Sequence, residues 1–239
     1  VLEAVTQNGR ALESVSANMK NDKEVVSVAA KHSGYNFQFA SNALKDDQEF
    51  VLELLNAKSD LFEYISSRLQ QQRQIVLAAV VLNAYHLDRV SRQFRDDKEI
   101  IMAGMHNGTS LKFASDRLKN DKEVVLQALK NGGNLENASS RLKDDKSFIL
   151  EVAQIAPYQL YNASYRLRSD KEIALVAAKA NGGFLRHTSR ELQNDKDVVM
   201  AAVSNDTGSY YYVSDELKQD REVLIAALKA YSPDDHYTG

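Results

Sequence analysis

Nine serines recur along the chain at intervals of 24 or 25 residues. They are Ser16, Ser41, Ser66, Ser91, Ser115, Ser139, Ser164, Ser189 and Ser214. A serine hydroxyl becomes a nucleophile when a neighbouring base removes its proton, and that chemistry needs one activated serine rather than nine in series. The serine column therefore predicts a structural role and no catalytic residue.

The remaining residues that often carry chemistry form no pattern typical of an active site. The five histidines occupy different positions of the repeat and show no metal-binding spacing, so we predict no metal site. They are His32, His86, His106, His187 and His236. The Asn-Gly-Gly turns at 131–133 and 181–183 follow predicted helices, whereas a glycine loop that binds phosphate precedes one. We predict neither a cofactor nor enzymatic activity.

Basic residues also follow the repeat, either four or two positions after the serine. Those four positions after it are Lys20, Lys45, Arg95, Lys119, Lys143, Arg168 and Lys218, and those two positions after it are Arg68, Arg117, Arg141 and Arg166. One cation per repeat could follow the phosphates of a nucleic acid. The competing interpretation places these cations at helix C-termini, where they complement the helix dipole. The total charge of −3 favours this second interpretation, so we do not expect nucleic acid as the partner.

The predicted element that positions these residues is a repeat of two short helices. The first helix begins near an Asp that lies six residues after the serine, often as Asp-Lys-Glu, and Gln72 replaces this Asp in one repeat. Ser169 with Glu172 predicts a capping box there. Apolar residues three, four, five, seven and eight positions after the Asp predict a helix that is buried nearly all round. The Asn-Gly-Gly sequences predict left-handed C-caps.

The second helix is predicted to contain the serine in its interior. Leu111, Ala114 and Leu118 lie four before, one before and three after Ser115, which makes one stripe of an amphipathic helix. The hydroxyl is predicted to donate to the carbonyl four residues earlier. Replacing Ser115 or Ser139 by Leu is expected to overpack the interior and to cost roughly 1–3 kcal/mol of stability, measurable by thermal denaturation.

These patterns predict an all-α fold. Helices of this length are marginal alone, so neighbouring repeats must stack. We predict an α-solenoid, a superhelical stack of about nine two-helix repeats, forming one domain over residues 1–239. Because the chain starts inside a repeat, we expect it to be part of a longer repeat protein. Residues 231–239 break the pattern and predict an irregular tail, and residues 56–74 depart most from the repeat and predict a kink.

The chain contains no cysteine, which excludes disulfides and thiolate metal ligands. Its longest strongly apolar run, residues 75–82, is too short to cross a bilayer, so we predict no membrane span. The compartment stays open, with the cytoplasm favoured.

The repeated phrase L-x-x-A-S-x-x-L-K-x-D-K-E-V-V, as in residues 111–125, resembles the tandem repeat of the family called domain of unknown function 4116. The resemblance covers essentially the whole chain. It implies an all-helical repeat found in multi-repeat proteins, without an assigned activity. It implies no catalytic or binding residues.

The positions beside the buried stripe vary from repeat to repeat, and repeat proteins use such positions for recognition. Tyrosine and arginine, which commonly anchor interfaces, concentrate late in the chain. The predicted partner-binding residues are Tyr161, Tyr165, Arg186, His187, Arg190, Tyr211 and Tyr212. The alternative is that these aromatic side chains pack between repeats.

We therefore predict a non-catalytic scaffold that binds a protein or peptide of unknown identity. Two alternatives stay open at this point. The chain is a nucleic-acid-binding solenoid that uses the Lys/Arg rows, or it is the targeting portion of a larger enzyme.

Overall fold

The computed structural model describes residues 1–57, 60–107 and 109–230, so the predicted tail at 231–239 lies outside the described residues. No strand occurs in these ranges. The chain divides into two compact units, Val1–Leu118 and Lys119–Gly239. A single repeat domain over 1–239 stays a prediction.

Unit 1 contains short helices of two kinds. Its α-helices are Leu2–Gln7, Ala17–Lys20, Lys23–His32, Asn42–Lys45, Gln48–Asn56, Arg73–Leu82, Arg92–Arg95, Lys98–Ala103 and Ser110–Phe113, and Asp116–Lys119 spans the boundary. Its 3₁₀ helices are Gly9–Ser14, Gly34–Phe39, Phe62–Tyr64, Leu69–Gln71, Ala84–Asp88 and Met105–Asn107.

Unit 2 repeats the same alternation. Its α-helices are Lys122–Lys130, Ser140–Lys143, Lys146–Ile155, Tyr165–Arg168, Lys171–Ala180, Arg190–Gln193, Lys196–Asn205 and Arg221–Ala230. Its 3₁₀ helices are Leu135–Asn137, Pro157–Asn162, Gly182–His187, Thr207–Tyr212 and Leu217–Gln219. Successive long helices pack side by side, as Lys171–Ala180 does on Lys196–Asn205. The predicted all-α stack of two-part repeats is confirmed in each unit.

The long helix of each repeat is buried on the positions that the sequence indicated. In Lys122–Lys130, Val124, Val125 and Ala128 are fully buried, and Leu129 is nearly so. Leu126, five positions after the Asp, is only half-buried. The helix is therefore covered on two sides rather than all round.

The long helix begins one residue later than the capping-box prediction placed it. Asp170, and not Ser169, is the N-cap of Lys171–Ala180, and its carboxylate accepts the backbone N–H groups of Glu172 and Ile173. The predicted capping box at Ser169 is wrong because an aspartate in the next position satisfies the same N–H groups with a charged acceptor.

The predicted left-handed C-caps are confirmed at one of the Asn-Gly-Gly turns and wrong at the other. Gly132 has φ +79°, and the N–H of Gly133 donates to the carbonyl of Ala128. At 181–183, Asn181 is extended instead, and its side chain accepts the N–H of Gly183 at the start of a 3₁₀ helix. An asparagine that caps the next helix replaces the left-handed turn.

The second predicted helix is two helices. In most repeats a 3₁₀ helix ends before the serine, and a four-residue α-helix begins after it, as Pro157–Asn162 and Tyr165–Arg168 do around Ser164. Ala163 and Ser164 between them are extended. Leu160 and Leu167 are still fully buried, so the predicted stripe is right and the predicted continuity of the helix is wrong. The break occurs because a serine gains more as an N-cap than inside a helix.

The divergent stretch 56–74 lacks an α-helix among its described residues after Asn56 and before Arg73. Its two short helices, Phe62–Tyr64 and Leu69–Gln71, are both of the 3₁₀ type. Ser66 nevertheless accepts the N–H of Leu69 at 3.2 Å, so the serine cap survives the divergence.

Candidate functional site

Most serines of the column link their repeat to the preceding one. At Ser139 the backbone N–H donates to the carbonyl of Lys119, with an N···O distance of 2.9 Å. The Ser139 hydroxyl donates to Oδ1 of Asn120 at 2.6 Å and accepts the N–H of Leu142 at 3.1 Å. The predicted bond from this hydroxyl to the carbonyl four residues earlier is therefore wrong. The N-cap position of Ser139 directs its hydroxyl toward the neighbouring repeat instead.

We call this arrangement a joint: the serine, a backbone carbonyl of the preceding repeat, and the Asp or Asn that follows that carbonyl. The joined pairs are Ser41 with Asn21, Ser66 with Asp46, Ser115 with Asp96, Ser139 with Asn120, Ser164 with Asp144, and Ser214 with Asn194. Each of these serines also makes the backbone bond. The serine column is therefore a row of connections between repeats.

Joints that contain an Asp also contain an arginine two positions after the serine. Arg68 Nε lies 3.0 Å from Oδ1 of Asp46, and Arg68 Nη2 donates to the Asp46 carbonyl at 2.8 Å. Arg117 pairs with Asp96, and Arg166 with Asp144, in the same way. The hydrogen bond from the serine, followed by that from the arginine, lowers the pKa of Asp46, of Asp96 and of Asp144.

Two joints are interrupted. Gln71 and Ser169 stand where the other repeats have Asp or Asn, and they precede Ser91 and Ser189 by 20 residues. The hydroxyls of Ser91 and Ser169 are buried and have no hydrogen-bond partner in the described part of the chain. Among the described residues, neither Ser91 nor Ser189 makes the backbone bond of the joint.

A second row of contacts uses the basic residue that follows the N-cap, which is an Asp in most repeats and Gln72 in one. Lys146 Nζ lies 2.8 Å from Oδ2 of Asp170, the N-cap of the next long helix, and 2.9 Å from Oε2 of Glu172. The same bridge joins Lys23 to Asp47, Arg73 to Asp97, Lys122 to Asp145, Lys171 to Asp195, and Lys196 to Asp220. All are partly exposed, so each contributes little alone.

Some of the basic residues four positions after the serine, Lys45 and Lys143 among them, bind carbonyl groups of the fold. Lys45 Nζ donates to the carbonyl of Gln38 at 2.6 Å, and Lys143 Nζ to that of Glu136 at 3.2 Å. Both carbonyls lie near the C-termini of 3₁₀ helices. This placement supports the helix-dipole interpretation of the row over a free row of cations.

A cavity in unit 2 brings together three of the seven predicted partner-binding residues. Tyr161, Arg186 and His187 line it, and its volume is about 400 Å³. The other lining residues are Pro157, Tyr158, Asn181, Gly183, Phe184 and Asp206. The cavity lies between the 3₁₀ helices Pro157–Asn162 and Gly182–His187, which present aromatic side chains to it.

The imidazole of His187 is the centre of this cavity's polar contacts. Its ring stacks on Tyr161 with centroids 5.5 Å apart, and Phe184 lies 6.2 Å away. Arg186 Nε donates to His187 Nε2 at 2.8 Å. Burial, with the charges of Arg186 and Arg168, lowers the pKa of His187. The ring is therefore neutral at neutral pH, as an acceptor of the Arg186 N–H must be.

The other four predicted residues lie outside the cavity lining. Tyr165 is exposed, with the Arg168 guanidinium 5.8 Å from its ring centroid, and Arg190 is exposed as well. Tyr211 is 78% exposed and meets the half-buried Tyr212 edge-on at 5.1 Å. The alternative of aromatic packing between repeats describes part of this set, since Tyr161 stacks on a ring of the next repeat.

Comparison with protein-family models gives one family. The model described as a domain of unknown function (DUF4116) matches residues 1–45, 28–70, 105–143, 145–193, 170–218 and 195–233. The chain belongs to this family. The overlapping DUF4116 matches follow the repeat seen in the fold. No curated protein and no solved structure matches the chain significantly.

The DUF4116 matches leave out residues 71–104. This stretch contains the interrupted joint of Gln71 and Ser91. The stretch that the family matches leave out thus contains a repeat whose connection to its neighbour is incomplete.

Sequence reasoning missed part of the DUF4116 chain's polar framework. The sequence predicts the residue before the N-cap Asp to be a helix cap, although it is polar in every repeat and lies 19 or 20 residues before the next serine of the column. That interval was the signal for the joints. The position five before the serine is also buried and polar in several repeats, as at Asn36 and Gln159, and this row has no signal in the apolar pattern.

Two further findings apply to the described residues of this DUF4116 chain. They contain no group of three or more His, Asp or Glu side chains placed to hold a metal ion. They also contain no helix with the length and apolar character needed to cross a membrane.

Proposed function

We propose that this chain is a non-catalytic repeat scaffold that binds a protein or peptide through the 3₁₀ helices of unit 2. The observation that carries the proposal is the cavity between Pro157–Asn162 and Gly182–His187. Tyr158 and Tyr161 border it and are 51% and 42% exposed. A concave aromatic surface with one cation is typical of a site that anchors a few side chains of a partner.

One joint and one further contact support this proposal. Ser164, after the 3₁₀ helix Pro157–Asn162, is tied to Asp144, and Arg168 donates to the carbonyl of His187 at 3.1 Å although the joint of Ser169 and Ser189 is interrupted. A site that is rigid before binding loses little conformational entropy when a partner binds. The scaffold then needs no chemistry beyond shape and a few anchors.

The test uses the whole chain to capture partners from its native host, with the double variant Tyr161→Ala/Arg186→Ala in parallel. We expect a stoichiometric protein partner whose dissociation constant rises at least about tenfold in the double variant, because aromatic and arginine anchors dominate binding energy. Circular dichroism and thermal melting check that the variants are folded.

The matched control is Tyr85→Ala in unit 1. Tyr85 lies six positions before its serine, as Tyr158 does, and it is 60% exposed. We expect Tyr158→Ala to weaken binding and Tyr85→Ala to leave it unchanged. A partner that binds the double variant as tightly as the wild type would refute this site, and a nucleic acid bound with steep salt dependence would favour the alternative function.

A further inference from the structure

Two arginines of unit 1 have guanidinium groups without partners among the residues that the structure describes. Arg92 and Arg95 lie one and four positions after Ser91, on the helix Arg92–Arg95. Arg92 is exposed and Arg95 is half-buried. Neither guanidinium forms a hydrogen bond or an ion pair within the described residues. By contrast, Arg68 and Arg117 of the same unit are held in joints.

The pair is specific to this repeat. No other repeat has arginine both one and four positions after its serine. The repeat of Ser164 has Tyr165 and Arg168 there, and the repeat of Ser189 has Arg190 and Gln193. The pair also lies in the stretch 71–104 that the family matches leave out. Arg95 belongs to the basic row of the repeat, whereas Arg92 beside it is an addition that the repeat framework does not require.

Both arginines line a cleft of about 450 Å³. Its other lining residues are Phe113, Ala114, Ser115 and Asp116. Arg92 and Arg95 make part of the lining cationic, and Phe113 and Ala114 form the apolar wall. The Lys112 ammonium lies 5.7 Å from the centroid of the Phe113 ring. The Ser115 hydroxyl is engaged with Asp96 in a joint, so the guanidinium groups are the main donors to an occupant.

We propose that this cleft binds an oxyanion carried by an aromatic group, either a phosphate monoester or a carboxylate. Two guanidinium groups three residues apart can offer paired N–H donors to one such anion, which is the contact that arginine makes best. The ring of the ligand packs on Phe113, as aromatic pairs do. Asp116 opposes the anion and sets an upper limit on its affinity. The inference is independent of the function proposed for unit 2.

The test is calorimetric titration of the whole chain with phenyl phosphate, benzoate and inorganic phosphate at low ionic strength. We expect saturable binding of phenyl phosphate or benzoate, at least about threefold tighter than that of inorganic phosphate, because only the first two reach Phe113. The tighter of the two identifies the anion that the cleft prefers.

Variants at the cleft give effects of opposite sign. Arg92→Gln and Arg95→Gln are each expected to weaken binding about tenfold or more, because each removes a charge-assisted contact. Asp116→Asn is expected to tighten it severalfold by removing a repelling charge. Arg190→Gln, at the repeat position of Arg92 but in unit 2, is the matched control and is expected to change nothing. Unchanged thermal melting confirms that all four variants are folded.

Three results would overturn the proposal. The first is the lack of saturable binding by either aromatic anion. The second is binding that Arg92→Gln and Arg95→Gln leave intact. The third is inorganic phosphate or a short single-stranded oligonucleotide binding as tightly as phenyl phosphate, since the apolar wall would then play no part.

Discussion

The joint between Asp96 and Ser115 and the interrupted joint between Gln71 and Ser91 belong to the same unit, yet they differ in every contact. Ser115 donates its hydroxyl to Asp96 and its backbone N–H to the carbonyl of Arg95. Ser91 makes neither bond, and its hydroxyl is buried without a partner. Both serines sit at the same place in the repeat and precede a short α-helix.

The difference teaches that the acceptor side chain, rather than the serine, decides whether a joint forms. Asp and Asn place an oxygen two bonds from Cβ, within reach of the serine. Gln71 has a longer side chain and Ser169 a shorter one, and both are found at interrupted joints. The backbone bond is missing at the same two places, so side-chain and backbone contacts occur together.

The largest effect in this comparison is expected from removing the hydroxyl at each kind of joint. Ser115→Ala is expected to lower the free energy of unfolding by about 1 kcal/mol, because it removes an N-cap that also bonds Asp96. Ser91→Ala is expected to cost nothing or to stabilise slightly, since a buried hydroxyl without a partner is itself unfavourable. Urea denaturation of the two variants measures the difference, and equal losses would contradict the comparison.

A smaller effect is expected from moving the acceptor. Gln71→Asn should create the missing joint with Ser91 and raise the free energy of unfolding by about 0.5–1 kcal/mol, the net value of a hydrogen bond. The reverse change, Asn120→Gln, should remove the joint at Ser139 and lower stability by a similar amount. Amide hydrogen exchange at Ser91 and Ser139 reports the backbone bond directly. Protection that does not follow the substitutions would show that the backbone, and not the acceptor, controls the joint.

The smallest effect on the free energy of unfolding is expected from lowering the pH. The folded-state pKa values of Asp46, Asp96 and Asp144 are lowered from 3.8 by their serine and arginine partners. A lowered folded pKa means that the native state binds fewer protons than the unfolded state, so stability rises with pH across this range. The contribution is complete above about pH 5, where the unfolded carboxyl groups are also ionised, and is lost as pH falls through the folded values.

The triple variant Asp46→Asn/Asp96→Asn/Asp144→Asn isolates this acid effect. Asparagine keeps the acceptor oxygen for the serine, as Asn120 does for Ser139, but it does not titrate. Urea midpoints between pH 5 and pH 2.5 are expected to fall less in the variant than in the wild type. If the urea midpoint fell equally with pH in the variant and in the wild type, these three carboxylates would add nothing to the pH dependence of stability.

The candidate site in unit 2 was partly accessible to sequence reasoning. Tyr161, Arg186 and His187 were predicted from repeat positions that vary, and they share a cavity. Tyr158 belongs to the late group of aromatic residues that the sequence indicates as a contact patch, but it is not among the predicted partner-binding residues, which come from positions beside the buried stripe. A 3₁₀ helix has three residues per turn, so Tyr158 and Tyr161 fall on one face, as Phe184 and His187 do.

The amino-acid sequence alone determined the helical class, the interval of the repeat and the buried positions, because these depend on apolar periodicity within each repeat. Leu111, Ala114 and Leu118 are buried as the pattern requires. Only the tertiary structure decided where the second helix breaks and which group each serine binds. The same residues are buried whether the segment is one unbroken α-helix or a 3₁₀ helix followed by a short α-helix. The two arrangements differ in the acceptor of the serine hydroxyl, which comes from the neighbouring repeat, 19 or 20 residues away.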